Sequence, residues 1–189
     1  MRIVGGRLKG RALSGPKSDA IRPTSDRLRE SLFNILAHSY GDPVLDARVI
    51  DLFAGTGALG LEAISRGAAF ALLVDDGAPA RALIRENVEA LGLGGVTRIL
   101  RRDARKLGAA PFVPPYTLAF LDPPYNRGLA EPALTSLARG GWLAPGALAI
   151  VEEAAAACFE PAPGFETLER RDYGETEVVF LRYRPDGKA

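Results

Sequence analysis

With 189 residues and 47% hydrophobic content, the chain is long enough for one compact α/β domain with a substantial core and short for two. A single cysteine, Cys158, excludes an internal disulfide, and a single histidine, His38, leaves no ordinary zinc ligand set; no apolar run approaches the roughly 18 residues of a membrane span, so a soluble, cytoplasmic protein without a metal is expected. The formal net charge of +1 hides an asymmetry, since residues 1–29 carry eight basic and two acidic groups while the remainder carries 16 basic and 21 acidic, and such a basic arm suits either phosphate contact or a solvated surface.

The opening IVGGRLKGRALSG alternates apolar and polar residues around glycines, as a short twisted hairpin or extended arm would. Pro23, Thr24, Ser25 and Asp26 then mark a helix start, with Leu28, Leu32, Ile35 and Leu36 at helical spacing and an end near Gly41 and Pro43. From residue 48 short apolar runs alternate with helical segments. RVIDLF, FALLV, VTRIL, LAFLD and ALAIVE read as strands, with helices at 58–66, 78–91 and about 129–139. This β-then-α alternation predicts a parallel sheet covered on both faces. FETLERRDYG and ETEVVFLRY, joined at Tyr173-Gly174, predict an antiparallel hairpin that closes it. Residues 1–43 are read as a basic arm and helix packed on a catalytic domain of residues 44–189.

An open α/β sheet binds its ligand at the carboxyl ends of its strands. The chemistry is therefore expected at Phe53 to Gly57, Asp75, Asp103 and Asp122. In DLFAGTGALG, residues 51–60, Gly55, Gly57 and Gly60 satisfy G-x-G-x-x-G after a strand. That pattern fits a dinucleotide, with Asp75 on the ribose, and fits S-adenosylmethionine equally well. Asp51 favours the latter, because a carboxylate before the loop suits an ammonium group and repels a pyrophosphate. Asp103, followed by Ala104, is placed for the adenine amino group or as a helix cap. Arg98, Arg101, Arg102, Arg105 and Lys106 around it form a second phosphate-contact patch or a solvated face.

LDPPYN, residues 121–126, ends a buried strand. Its two prolines remove two donors and leave the Asp122 carboxylate and the Pro123 carbonyl as acceptors, which suits an amino group with two N–H bonds. The exocyclic amine of a base is a poor nucleophile because its lone pair is delocalised. Holding both protons can turn that lone pair toward a methyl donor, and Tyr125 offers a face on which a flipped base stacks. His38, Cys158 and Trp142 are read as packing residues.

These segments together resemble the bacterial family that methylates N2 of a guanine in small-subunit (16S) ribosomal RNA. The resemblance covers nearly the whole chain, through IVGGRLKGRAL, RPTSDRLRESLFNIL, DLFAGTGALGLEAISRGA, the ENV segment with Asn87, LDPPYNRGL and GWLAPGALAIVE. RPTSDRLRE is the most diagnostic, because the glycine loop and DPPY are shared by many amino-methyltransferases. The resemblance implies the Rossmann-like class I S-adenosylmethionine methyltransferase fold, with a seven-stranded, mostly parallel sheet and one antiparallel strand. It further implies 16S rRNA in an assembled or partly assembled small subunit as the substrate, and a monomer is expected. By position it assigns Asp51, Gly55, Gly57, Asp75 and Asp103 to the cofactor and Asp122, Pro123 and Tyr125 to the target amine, with Phe53 and Ala104 expected beside the cofactor as well. Arg2, Arg7, Lys9, Arg11, Arg22 and Arg27 are the expected RNA contacts. Asp75 is preferred to Asp76 because it directly follows the last apolar residue of its strand.

Three rival readings are weaker. A DNA adenine-N6 methyltransferase would need a target-recognition domain for which there is no room. A nicotinamide-dependent oxidoreductase leaves DPPY and the basic arm unexplained, and a non-catalytic ribosome-binding protein leaves Asp51, Asp75 and Asp122 without a purpose.

Overall fold

The computed structural model describes residues 1–16 and 25–185. Its sheet has seven strands: β1 (Arg48–Leu52), β2 (Phe70–Val74), β3 (Thr97–Leu100), β4 (Tyr116–Leu121), β5 (Leu143–Ala154), β6 (Phe165–Tyr173) and β7 (Thr176–Tyr183). The helices are α1 (Asp26–Ser39), α2 (Ala58–Ser65), α3 (Ala78–Leu91) and α4 (Ala130–Arg139). Strand order is β3-β2-β1-β4-β5-β7-β6, with β1 to β5 parallel and β7 antiparallel to both of its neighbours. The expected seven-stranded sheet with one antiparallel strand is what forms. None of the described helices is long and apolar enough to cross a membrane.

Strand alternation divides the interior in two. On β1, Val49 packs with α1, α2 and α3, whereas Ile50 and Leu52 join the opposite cluster, which contains Ala130, Leu134 and Leu137 of α4. Helix α1 begins where its cap is expected, with the Ser25 side chain accepting from the Leu28 N–H at 3.1 Å. It buries Leu32, Phe33, Ile35 and Leu36. Trp142 is buried and donates its indole N–H to the Gly108 carbonyl at 2.8 Å, in keeping with a packing role. His38 and Cys158 depart from that expectation, since both are exposed. His38 falls on the outward face of the last turn of α1.

The N-terminal residues form the expected hairpin. The Ile3 N–H donates to the Arg11 carbonyl, the Gly10 N–H to Ile3 and the Leu13 N–H to Met1. Its tip lies on the carboxyl end of α2, where the Ser65 hydroxyl accepts from the Leu8 N–H at 2.9 Å and donates to the Gly5 carbonyl at 2.6 Å. Gly6 is required there, because a Cβ on it would come within 2.0 Å of the Ser65 carbonyl oxygen. Glu62, fully buried on α2, accepts from the Val4 N–H and from Arg66.

The open end of the hairpin is fastened by Asn87 of α3. Its buried amide accepts from the Ser14 N–H at 2.7 Å and donates to the carbonyls of Ser14 at 3.1 Å and Thr56 at 2.9 Å. Asn87→Ala leaves three backbone groups without these partners, which should cost about 2–3 kcal/mol. For a chain of this size the midpoint of thermal unfolding should fall by about 5–10 °C. A melt within 2 °C of the native protein would show that the amide does not hold the arm.

Candidate active site

The order in which strands are added reverses between the parallel neighbours β1 and β4, and at such a switch point the loops leaving two adjacent strands diverge and open a crevice. Register keeps the strand ends level. Leu52 stands opposite both Val74 and Leu121, Val74 opposite Leu100, and Leu121 opposite Val151. The next residues, Phe53, Asp75, Arg101, Asp122 and Glu152, therefore rise along one edge. A cleft of about 400 Å³ opens there, lined by residues that include Phe53, Asp75, Asp76, Asp103, Ala104 and Pro124. Phe53 takes a φ of +59°, a backbone state that a bulky side chain holds only under constraint, and the strain falls where β1 turns into the glycine loop.

Asp51 lies on the α1–α3 side of β1, almost wholly buried beneath this loop, with its Oδ2 accepting from the Gly60 N–H at 2.9 Å. Gly60 admits no side chain, as its Cβ would come within 2.3 Å of Leu73. Burial pushes the Asp51 carboxyl up to about 7, against the lowering effect of the Gly60 N–H. The unfolded chain ionises near 4, so between about pH 4 and 7 unfolding releases a proton and stability falls as pH rises. The stability of the native protein relative to Asp51→Asn should therefore decline from about pH 4 to about pH 7 and then level off. A constant difference in denaturant unfolding across that range would place the ionisation elsewhere.

Asp75 is half-buried and secures both loops of the cleft, accepting from the Gly55 N–H at 3.0 Å and the Gly77 N–H at 2.8 Å. Its carboxyl is also raised, mainly by burial. Asp76 is exposed on the same cleft. Asp103 caps a short 3-10 turn through the Arg105 N–H and pairs with the Arg105 guanidinium at 2.7 Å, which holds its carboxyl below the usual range.

The DPPY loop is fastened from the neighbouring strand. The Asp122 N–H reaches the Leu52 carbonyl at 3.5 Å, and Asp122 itself is half-buried beside Glu152. The Tyr125 hydroxyl donates to Glu152 Oε1 at 2.6 Å and, its proton spent, accepts from Thr176 Oγ1 at 2.9 Å. Burial and the Glu152 carboxylate raise the phenol strongly, so Tyr125 stays protonated. Glu153 accepts from the Asn126 N–H at 3.1 Å and the Ala154 N–H at 2.9 Å. The residue pattern gave no site role to Glu152, Glu153 or Thr176, although Glu152 closes the ALAIVE run and two adjacent carboxylates at the end of an interior strand are an available signal.

The basic arm points elsewhere. Arg7 and Lys9 are exposed at the hairpin tip, and Arg11 donates to the Ala90 carbonyl at 2.7 Å near the carboxyl end of α3. Arg2 pairs with Asp26 at 3.5 Å, and Arg27 is exposed in the first turn of α1. Arg22 lies outside the described residues. The tip is separated from the glycine loop by the length of α2, roughly 10 Å.

The family model described as conserved hypothetical protein 95 matches residues 1–182. Over 153 residues the chain is 44% identical to the ribosomal RNA small subunit methyltransferase D of Escherichia coli (strain K12), covering 80% of this chain and 74% of that protein. It is 32% identical over 151 residues to the protein of the same name from Buchnera aphidicola subsp. Acyrthosiphon pisum, covering 80% and 76%. The solved structure of the yhhF protein of Escherichia coli matches with a TM-score of 0.83 and 34% identity, covering 98% of this chain and 99% of that one.

Proposed function

The chain belongs to the conserved hypothetical protein 95 family, together with the ribosomal RNA small subunit methyltransferase D proteins, and from that membership we propose that it is a cytoplasmic S-adenosylmethionine-dependent methyltransferase acting on N2 of a guanine in 16S rRNA. Residues 44–189 would form the methyltransferase domain, with residues 1–43 as its arm and helix. One observation carries the reading. Asp75 and Asp103, the strand-end carboxylates suited to the cofactor, line one cleft together with Pro124 of the DPPY loop, and Asp122 follows the strand next to β1.

The residues present fit S-adenosylmethionine. A cleft of about 400 Å³ suffices for a ligand of that size. Its carboxylates at Asp75 and Asp103 suit hydroxyl and amino donors, and carboxylates beside the glycine loop disfavour a pyrophosphate. Asp75 would hold the ribose, Asp103 with Ala104 the adenine, and Asp51 with Phe53, Gly55 and Gly57 the methionine end. When bound, the cofactor supplies an electrophilic methyl group. Asp122 and the Pro123 carbonyl accept the two amine N–H bonds and turn the nitrogen lone pair toward the cleft. Tyr125, held by its hydroxyl, presents its ring to the base, and the Asp122 carboxylate stabilises the positive charge that builds on nitrogen.

The test is methylation, with labelled cofactor, of small subunits from a strain lacking the enzyme, followed by nucleoside analysis of their RNA. The expected product is N2-methylguanosine. Label in N6-methyladenosine, or none at all, would overturn the assignment.

A further inference from the structure

Three carboxylates, Asp75, Asp76 and Asp103, line the cleft, and Asp122 follows the end of β4 beside β1. An RNA strand that delivers a base there brings phosphates toward carboxylates, so cations must stand close by. The arm does not supply them, because Arg7 and Lys9 lie at the far end of α2 and the Arg11 guanidinium is engaged at Ala90. Arg105 is engaged as well, by Asp103, and Arg81 is turned to the carbonyls of Asp75 and Asp76.

Two cations on the cleft have no such engagement. Arg102 and Arg127 both line it, both are exposed, and neither makes a hydrogen bond or ion pair among the described residues. They rise from opposite walls. Arg102 follows the end of β3, while Arg127 follows the DPPY loop, next to Asn126, whose N–H is fixed by Glu153. In the sheet β3 and β4 stand three places apart, roughly 14 Å. A nucleotide turned out of its stack into a cleft leaves its two flanking phosphates at the rim, one toward each wall. The planar guanidinium grips such a phosphate through two N–H groups.

Resting on the RNA reading above, we infer that Arg102 and Arg127 are the phosphate clamp of this enzyme, straddling the target nucleotide, while the arm holds more distant RNA. The clamp fixes where the base falls relative to Asp122, so it governs the rate of transfer as well as affinity.

The experiment compares Arg102→Ala, Arg127→Ala, their double variant and the Arg7, Lys9 and Arg11 triple alanine variant. Binding to unmethylated small subunits is measured from 50 to 200 mM salt, S-adenosylmethionine affinity by titration, and transfer by single turnover at saturating subunit. The double variant should lower the slope of log affinity against log salt by about 1.4–1.8 and weaken binding about tenfold at 0.1 M salt. It should also slow transfer at saturation at least tenfold, with cofactor affinity unchanged within twofold and the native melting temperature kept. The arm variant should reduce the slope yet retain the saturated rate. An unchanged slope in the double variant, or a loss of cofactor affinity in place of RNA affinity, overturns the clamp and leaves the RNA reading standing. A native protein with no salt-dependent binding to the subunit overturns both.

Discussion

Asp122→Ala should lower single-turnover methyl transfer by at least 10² to 10³ while leaving the dissociation constant of S-adenosylmethionine within about twofold. The carboxylate stands at the end of β4, level with the β1 and β5 ends, and in the proposed mechanism it acts on the incoming amine, not on the bound cofactor. Without it the Pro123 carbonyl is the one acceptor left to that pair, and the amine loses both an orienting hydrogen bond and the stabilisation of its developing charge. Loss of a single preorganised group of this kind typically costs about 10² to 10³ in rate, and orientation is lost as well. Asp122→Asn sharpens the test. The amide keeps an acceptor oxygen and most of the shape, so it should retain more activity than alanine. A carboxylate acting as the base would instead make asparagine as inactive as alanine. Wild-type transfer by Asp122→Ala would remove the DPPY loop from the mechanism.

Asp75→Ala should weaken S-adenosylmethionine binding by about 10- to 150-fold, the equivalent of losing roughly 1.5–3 kcal/mol of charged hydrogen bonding. Two effects combine here. On the proposed reading the ribose hydroxyls lose a charged acceptor, and the Gly55 and Gly77 N–H groups lose the carboxylate that fastens their two loops. Saturating cofactor should restore much of the rate, because Asp75 does not touch the amine. Asp76→Ala, which removes an exposed side chain with no loop to hold, should change affinity less than threefold. If isothermal titration gives the large loss for Asp76→Ala and the small one for Asp75→Ala, the ribose contact belongs to Asp76.

Legibility of the site followed the range of the interactions that build it. DLFAGTGALG and LDPPYN are contiguous, and glycine and proline act on their own backbone, so both loops could be placed at strand ends from residue types alone. The polar contacts that hold these loops come from far along the chain. Glu152 reaches Tyr125 across 27 positions, Thr176 reaches it across 51, and Asn87 joins Ser14 across 73. No local pattern records such pairs. Asp51 shows the same limit from another side. Its type and position suggest a carboxylate beside a ligand, but its burial under the glycine loop and its contact with the Gly60 N–H, which set its ionisation, come from the packing of α2 on β1.

The sequence by itself determined the order of strands and helices, the closing hairpin, the glycine and DPPY loops at strand ends and the cap of α1, because hydrophobic period, turn residues and capping residues act within a few positions of themselves. Only the tertiary structure decided that β4 pairs beside β1, which brings Asp122 level with Phe53 and sets Glu152 next to it. It also decided that the tip of the basic arm folds down α2, away from the cleft, and that Arg102 and Arg127 stand at its mouth. The physical reason is that strand pairing and the direction of exposed charge are set by contacts between distant segments, whose packing free energy no single segment contains.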